Sequence, residues 1–345
     1  MKDLTKLQAK VKGYLYRQKR SDLLTKKSLL NTDQLDLGFQ DFSPLQTCEI
    51  TDEDIQKLLE TLVPLDDNVS VELRGPVEYE NKAIYYGEWC VGKNLRHGRG
   101  IQLWSDGSRY EGYWQDNRAN KRGKLIHSNG DVYDGEWLND NAEGYGVYTH
   151  TDGAQYKGFW KQDKQNGDGI ESWPEGTYYE GQYVDGKKCG KGKFKWSDGS
   201  SYEGEFKDNN IEGKGTYSWN DMRRYEGDWK ENRMEGQGTF TYPDGRVYVG
   251  QYVNDKMNGK GVFSWPNGRK YEGEYEDDKK HGYGVFTWAD GRVYKGQWRN
   301  GKQHGEGEFY NAKTGKWRKG EWEDGKRIRW IDEDGNENNT TEGEN

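Results

Sequence analysis

The chain has 345 residues, of which 31% are hydrophobic and 14% are aromatic, and its formal net charge is −8 at pH 7. Its mean hydropathy of −1.29 is borderline for a folded chain, and the acidic balance argues against nucleic acid as a partner. Cys48, Cys90 and Cys189 are scattered, which predicts neither a disulfide framework nor a thiolate metal site. The sequence shows no signal peptide and no long apolar run, so we expect a cytoplasmic protein.

The first predicted element, residues 1–30, is a basic amphipathic helix. Residues 1–27 hold nine Lys or Arg and two Asp or Glu, whereas residues 28–345 hold 43 and 58, a formal charge of −15. Its apolar residues share one helical face and basic residues surround them, which suits the groove and acidic rim of a calmodulin-like lobe. The apolar positions are Leu4, Leu7, Val11, Tyr14 and Leu15.

The spacing within this helix resembles an IQ motif. An aliphatic residue is followed by glutamine, then by a basic residue at the sixth place, glycine at the seventh and a basic residue at the eleventh. The resemblance implies calmodulin or a centrin-like light chain as the partner. Two other interpretations stay open: a basic arm that docks on an acidic protein surface, or a helix that lies on an anionic membrane. The predicted light-chain-binding residues are Leu7, Gln8, Val11, Lys12, Gly13 and Arg17.

Residues 31–80 are predicted to be a linker that contains one short helix over 52–63. Apolar residues recur there at helical spacing, and a proline follows them as a stop signal. The helix could bind a partner, or it could cap the sheet edge by packing on the first hairpin; the cap is the favoured interpretation. The residues concerned are Ile55, Leu58, Leu59, Leu62 and Pro64.

From residue 85 onward the phrase Tyr-x-Gly-x-aromatic recurs, spaced by 25 residues once and by 23 thereafter. A degenerate further copy begins at Arg318. A fixed period in this range indicates a repeat architecture, in which each unit buries its apolar face against its neighbours. The repeat tyrosines are Tyr85, Tyr110, Tyr133, Tyr156, Tyr179, Tyr202, Tyr225, Tyr248, Tyr271 and Tyr294.

Each copy is predicted to be a β-hairpin. Side chains alternate across a strand, so Tyr202, Gly204 and Phe206 share one face, while Glu203 and Glu205 share the other and are expected to be solvated. The glycine lets a ring lie across the bare backbone. Asp-Gly and Asn-Gly pairs between copies are strong hairpin signals, so the copies should join as an antiparallel meander.

Aromatic residues fill two further slots of the repeat, four residues after each tyrosine and six residues before the next. Because each ring buries a large area, this ladder can replace an aliphatic core. The second slot also predicts a long aromatic face for a protein partner. The tryptophans predicted to form that face are Trp104, Trp173, Trp196, Trp219, Trp265 and Trp288.

The repeat resembles the MORN (membrane occupation and recognition nexus) repeat, as in Tyr271-Glu272-Gly273-Glu274-Tyr275 followed by His281-Gly282-Tyr283-Gly284 and Asp290-Gly291. The resemblance covers residues 85–331 and implies an all-β fold, an elongated single-layer antiparallel β-meander with short N-terminal helices. Proteins with this repeat occur in ciliary axonemes, notably radial-spoke heads, and in other cytoskeletal assemblies. Residues 332–345 are predicted to form a disordered acidic tail.

We predict no catalytic residue, metal site or cofactor. His97, His281 and His304 recur at one repeat position, which indicates a structural role. The Gly-x-Gly pairs follow the repeat spacing and do not open a helix, as a phosphate-binding loop would.

The leading hypothesis is therefore a non-enzymatic scaffold in a ciliary axoneme or other cytoskeletal assembly, which binds axonemal or cytoskeletal proteins through its repeats and a light chain through its N-terminus. The alternative is a membrane-contact or phosphoinositide-associated protein tethered by the basic helix. The acidic array disfavours membrane contact, and a homodimer stays open.

Overall fold

The computed structural model describes residues 49–331 and the backbone of residues 337–338. The IQ-like segment, Cys48 and the other residues of the acidic tail lie outside the described residues. The described part is mostly β, with antiparallel strands in one open sheet and a single short helix, which confirms the predicted all-β meander. The chain divides into a first unit that ends at Lys188 and a second unit that begins at Cys189.

In the first unit a helix precedes a run of strands, each hydrogen-bonded to the next along the chain from β1 to β10. These elements are α1 (Asp52–Thr61), β1 (Val71–Glu78), β2 (Ile84–Cys90), β3 (Arg96–Leu103), β4 (Arg109–Gln115), β5 (Arg118–Ile126), β6 (Val132–Leu138), β7 (Asn141–Thr149), β8 (Gln155–Lys161), β9 (Lys164–Ser172) and β10 (Tyr178–Val184).

The second unit continues the meander in the same way, and β11 holds the boundary between the units. Its strands are β11 (Lys187–Lys195), β12 (Ser201–Lys207), β13 (Asn210–Ser218), β14 (Arg224–Lys230), β15 (Arg233–Thr241), β16 (Val247–Val253), β17 (Lys256–Ser264), β18 (Lys270–Glu276), β19 (Lys279–Thr287), β20 (Val293–Arg299), β21 (Lys302–Asn311), β22 (Lys316–Glu323), β23 (Lys326–Ile331) and β24 (Glu337–Asn338).

Two kinds of turn alternate along the meander. Between β12 and β13, Asp208 and Asn209 both have positive φ, 48° and 71°, which is the type I′ geometry of a two-residue hairpin. Between β11 and β12, Gly199 has φ 88° and its N–H donates to the Trp196 carbonyl at 3.0 Å, as in a three-residue loop with a glycine bulge. Met222 occupies the position of Gly199 in the next repeat and has φ 69°. The turn is therefore kept where Asp221–Met222 replaces Asp-Gly, with backbone strain at the methionine.

The repeat glycines make room for the repeat tyrosines. Gly204 and Gly215 pair across β12 and β13, and a Cβ on either would overlap the side chain of Tyr202. The Tyr202 hydroxyl donates to the carbonyl of Glu205 at 3.0 Å, which fixes the ring against the backbone. The expectation that a ring lies across bare strand backbone is thus confirmed, and it explains how a weakly hydrophobic chain buries one sheet face.

A β-bulge recurs in the hairpins of the repeat, as between β12 and β13. The register shifts after Gly204, and Gly213 in the bulge has φ 69°. Glu205 is exposed, as expected, and its carboxylate also accepts the backbone N–H of Lys214 at 3.3 Å in this bulge. At the equivalent of Gly213 the first unit has Lys121, which takes φ 55° in spite of its side chain.

Helix α1 begins with a capping box in which Thr51 and Asp54 exchange side-chain and backbone hydrogen bonds. The helix ends at Thr61, two residues before the predicted limit of 63. Its C-cap residue, Leu62, is extended at φ −101° and ψ 134°, and the residue that follows it precedes Pro64, where helical geometry is disfavoured.

The apolar side of α1 lies on the sheet face opposite to the repeat tyrosines. Ile55 and Leu58 pack against Tyr86 and Ile101, which are cross-strand partners in β2 and β3. Arg99 donates to the carbonyls of Leu59 and Leu62 at 2.9 Å each, so the sheet also satisfies the helix C-terminus. The strand outside the first repeat hairpin is β1, which falls inside the predicted linker and was not expected from the sequence.

Within the described residues, no helix has the length and apolar character needed to cross a membrane.

Candidate functional site

The rings on the tyrosine face form two rows. The inner ladder consists of the repeat tyrosines and the aromatic residues four positions later, which meet edge to face. Tyr225, for example, lies 5.1 Å from Trp229 and 5.2 Å from Tyr252 between ring centroids. The ladder tyrosines of the second unit are fully or almost fully buried. Such T-shaped contacts favour one ring arrangement, so the inner ladder gives the face a rigid base.

The second row, which we call the outer row, is continuous within the second unit. Its successive rings lie 4.4–5.9 Å apart between centroids and include the tryptophans that begin the turns. Those tryptophans are only partly buried. The members of the outer row are Phe194, Trp196, Tyr217, Trp219, Phe240, Tyr242, Phe263, Trp265, Phe286, Trp288 and Phe309.

An arginine stands over each of four successive turn rings of the outer row. The guanidinium carbons lie 4.6–5.5 Å from the ring centroids, within the range of a cation–π contact. The arginines recur two residues before the repeat tyrosine, a signal that is visible in the sequence and was missed. The pairs are Arg223 with Trp219, Arg246 with Tyr242, Arg269 with Trp265, and Arg292 with Trp288.

In the first unit histidines interrupt the equivalent row. His127 and His150 take the turn positions and flank Tyr148, at 5.9 and 4.9 Å between ring centroids. Asp131 accepts a hydrogen bond from the Tyr148 hydroxyl at 3.1 Å and lies 3.5 Å from Nδ1 of His150. Burial by itself raises the pKa of Asp131, but its hydrogen bonds, that with His150 foremost, outweigh burial and hold the pKa below its ordinary value.

The six tryptophans predicted to form a binding face thus divide between the units. The second unit joins Trp196, Trp219, Trp265 and Trp288 in the outer row. Trp104 and Trp173 begin the same kind of turn in the first unit. The predicted light-chain-binding residues lie outside the described residues.

Two lysines at the same repeat position, nine residues after the tyrosine, lie against these rings. Lys188 in the first unit is buried, and its Nζ lies 2.7 Å from the Glu171 carboxylate. Lys280 in the second unit is partly buried, with its Nζ 4.3 Å from the Phe286 ring centroid and 4.7 Å from that of Trp298. Burial, followed by the nearby Arg269, lowers the pKa of Lys280 to about 8.

Among the described residues, no group of three or more His, Cys, Asp and Glu is placed to hold a metal ion. The outer row offers apolar area, and arginines and lysines lie along it.

Comparison with known proteins identifies the repeat. The family model described as MORN repeat matches ten consecutive segments, which are residues 85–109, 110–132, 133–155, 156–178, 179–201, 202–221, 225–245, 248–268, 271–291 and 294–313. No curated protein sequence matches the chain.

Solved structures give only distant likenesses. A mutant TCP10 domain of Danio rerio CPAP is 12% identical, with a TM-score of 0.33, and the match covers 57% of this chain and 92% of that one. The wild-type TCP10 domain with a peptide of Danio rerio STIL is 16% identical, with a TM-score of 0.27 and coverages of 69% and 97%. An inactive virginiamycin B lyase from Staphylococcus aureus is 12% identical, with a TM-score of 0.14 and coverages of 76% and 85%.

Proposed function

Because the chain belongs to the MORN-repeat family, we propose that it is a non-enzymatic scaffold that binds protein partners along the aromatic face of its second unit. The observation that carries this proposal is the outer row, in which partly exposed tryptophans stand on a fully packed inner ladder. Exposed aromatic residues held rigid by their neighbours lose little conformational entropy on binding, so they are efficient anchors.

Charge favours a protein over a membrane as the occupant of this face. Residues 28–345 carry a formal charge of −15, which repels anionic headgroups. The outer row nevertheless carries four arginines, and one of them, Arg269, has no carboxylate partner among the described residues, so the face keeps local positive charge within an acidic chain. An extended or helical segment with apolar and acidic side chains fits both properties.

A membrane-contact function is the second candidate, and the excess of basic residues in 1–27 favours it. In that case the basic segment, rather than the aromatic face, would hold the chain at an anionic surface. Flotation of the full chain with phosphatidylserine vesicles separates the two functions, because the scaffold stays in the soluble fraction.

The proposal includes a light chain at the N-terminus and a place in a ciliary axoneme or other cytoskeletal assembly. Support for the light chain is the IQ-like spacing of Leu7, Gln8, Lys12, Gly13 and Arg17. Support for the location is the resemblance of the repeats to those of axonemal and cytoskeletal proteins.

A titration of calmodulin or centrin, with and without calcium, tests the light-chain part. We expect sub-micromolar affinity for the full chain, or about −8 kcal/mol and better. The double change Leu7→Ala with Gln8→Ala should abolish binding, whereas Lys2→Ala should weaken it only slightly. Affinity weaker than about 10 μM for both proteins in both conditions would remove the light chain from the proposal.

Co-purification from ciliated-cell extract tests the aromatic face. The double variant Trp219→Ala with Trp265→Ala removes two anchors of the outer row. Tyr283, which is 52% exposed on the opposite face, and Val249, also exposed there, give a matched double alanine control. Partners that are lost with the first variant and kept with the control support the proposal; equal losses would contradict it.

A further inference from the structure

The turn before β18 differs from its neighbours in one residue that changes the local charge. In three turns of the second unit an aspartate holds the ring-stacked arginine, at 2.7 Å for Arg223 and at 2.8 Å for both Arg246 and Arg292. In the turn before β18 the same position is Asn267, and Nε of Arg269 donates to its amide oxygen at 3.2 Å. Arg269 therefore keeps its full positive charge, whereas the other three are neutralised by their carboxylates.

The same place holds a second cation without a carboxylate. The guanidinium carbon of Arg269 lies 5.3 Å from the Trp265 ring centroid, and Nζ of Lys280 lies 5.7 Å from it. Lys280 also lies 5.0 Å from the Tyr271 ring centroid. Among the described residues, neither cation forms an ion pair with Asp or Glu, whereas Lys188 at the same repeat position is paired with Glu171.

Two neighbouring cations that are partly removed from water repel each other and favour an anion between them. The positive charge of Arg269 adds to the effect of burial in lowering the pKa of Lys280. A carboxylate that reached Trp265 could accept charge-assisted hydrogen bonds from both groups, while its apolar neighbours covered the outer row.

We propose that Arg269 and Lys280, which both lie near the Trp265 ring, bind the carboxylate of an Asp or Glu side chain in an extended segment of a partner protein. The inference rests on the proposed function, because it names the chemistry of the partner that the aromatic face takes. The ammonium of Lys280 lies among rings, so the ligand is a side chain that reaches between them rather than a flat anionic membrane. The chain charge of −15 outside residues 1–27 disfavours that membrane as well.

Peptide display on the immobilised full chain gives the first readout. A library of random peptides, about 12 residues long to span several strands, is selected on the wild type and on Lys280→Met. Methionine occupies this repeat position at Met234 and Met257, so the fold accepts it. The wild type should enrich peptides with an Asp or Glu next to apolar residues, and Lys280→Met should lose the acidic preference.

Affinities of one selected acidic peptide give the second readout, by fluorescence anisotropy. Lys280→Met and Asn267→Asp, which restores the aspartate found in the other turns, should each weaken binding by about tenfold. Replacing the peptide's acidic residue by Gln or Asn should do the same. Lys279→Met is the matched control: it removes an equal charge one residue away on the opposite face and should change affinity less than twofold.

The outcomes separate this inference from the proposed function. Peptides that need Trp219 and Trp265 but show no acidic preference would overturn the inference and leave the scaffold intact. Failure to select any peptide would count against both. Equal losses in Lys280→Met and Lys279→Met would show general charge attraction and overturn the proposed carboxylate site at Arg269 and Lys280. Binding to phosphatidylserine vesicles that Lys280→Met abolishes, without binding to acidic peptides, would assign the site to lipid and overturn it as well.

Discussion

In the second unit the outer row runs unbroken from Phe194 to Phe309, whereas in the first unit His127 and His150 interrupt it. The cations differ in the same sense. Lys188 forms an ion pair with the buried Glu171 carboxylate, whereas Lys280 lies against rings and near Arg269 and has no ion pair among the described residues. The same repeat can therefore place a lysine against a carboxylate or against rings alone, and the difference depends on a few variable positions rather than on the fold.

The opposite face differs between the units in one respect. In the first unit helix α1 covers Tyr86 and Ile101, and Arg99 donates to carbonyls at the helix C-terminus. In the second unit the described residues include no helix. Away from α1, apolar side chains are exposed on this face in both units, such as Phe159 in the first and Tyr283 in the second.

The largest expected effect distinguishes the inner ladder from the outer row. Trp229→Ala removes a buried ring that contacts Tyr202 and Tyr225 and donates to the Gly215 carbonyl at 3.1 Å, so it should cost about 3–5 kcal/mol. Trp219→Ala removes a partly exposed ring of the outer row and should cost about 1–2 kcal/mol. Urea unfolding of both variants measures the difference; equal costs would mean that the outer row is also core.

Removal of each lysine tests the contrast between Lys188, which is paired with a carboxylate, and Lys280, which is not. Lys188→Met leaves the buried Glu171 carboxylate without its ammonium and should destabilise the chain by about 3 kcal/mol. Lys280→Met removes a charge that has no carboxylate and should be neutral or stabilising by about 1 kcal/mol. Thermal unfolding under identical conditions compares them, and a similar loss in both variants would refute the distinction.

The pH dependence of stability sharpens the same contrast. The pKa of Lys280 is about 8 in the folded chain and 10.5 as an ordinary value, so protonation favours the unfolded chain. The penalty is complete below about pH 8 and disappears as pH rises toward 10.5. The stability difference between wild type and Lys280→Met should therefore shift by on the order of 1 kcal/mol between pH 7 and about 9.5. A difference that is constant with pH would show that Lys280 is solvated like a surface lysine.

The smallest expected effect concerns the charged face of one repeat. Glu205→Ala removes the acceptor for the Lys214 N–H in the bulge and should cost about 1 kcal/mol. Glu203→Ala, two residues away on the same face, removes an ion pair with Lys193 at 3.9 Å and should cost less than about 0.5 kcal/mol. Urea unfolding of the two variants measures the loss of unfolding free energy in each. Equal losses would mean that the bulge hydrogen bond does not contribute to stability.

The sequence predicted the hairpin order and the aromatic ladder because both depend on short, repeated spacings such as Tyr202-x-Gly204-x-Phe206. It did not predict β1, because Gly75 and Pro76 interrupt the strand pattern there.

The bulge and the contacts of Arg269 and Lys280 with Trp265 were missed for a different reason. They depend on which side chains a shifted strand register brings together in three dimensions. The hydrogen bond in the bulge nevertheless recurs at a spacing of nine residues, as from Lys214 to Glu205. The outer-row arginines also recur at one spacing, two residues before Tyr225, Tyr248, Tyr271 and Tyr294.

Photo-crosslinking in ciliated cells tests the central claim most directly. A benzoylphenylalanine is placed at Trp219 in the outer row, at Trp104 in the first unit, or at Tyr283 on the opposite face of the second unit. The account predicts a discrete crosslinked protein partner from position 219 and little from positions 104 and 283. Equal crosslinking from positions 219 and 283, or crosslinking from 104 alone, would contradict the claim that the aromatic face of the second unit binds the partner.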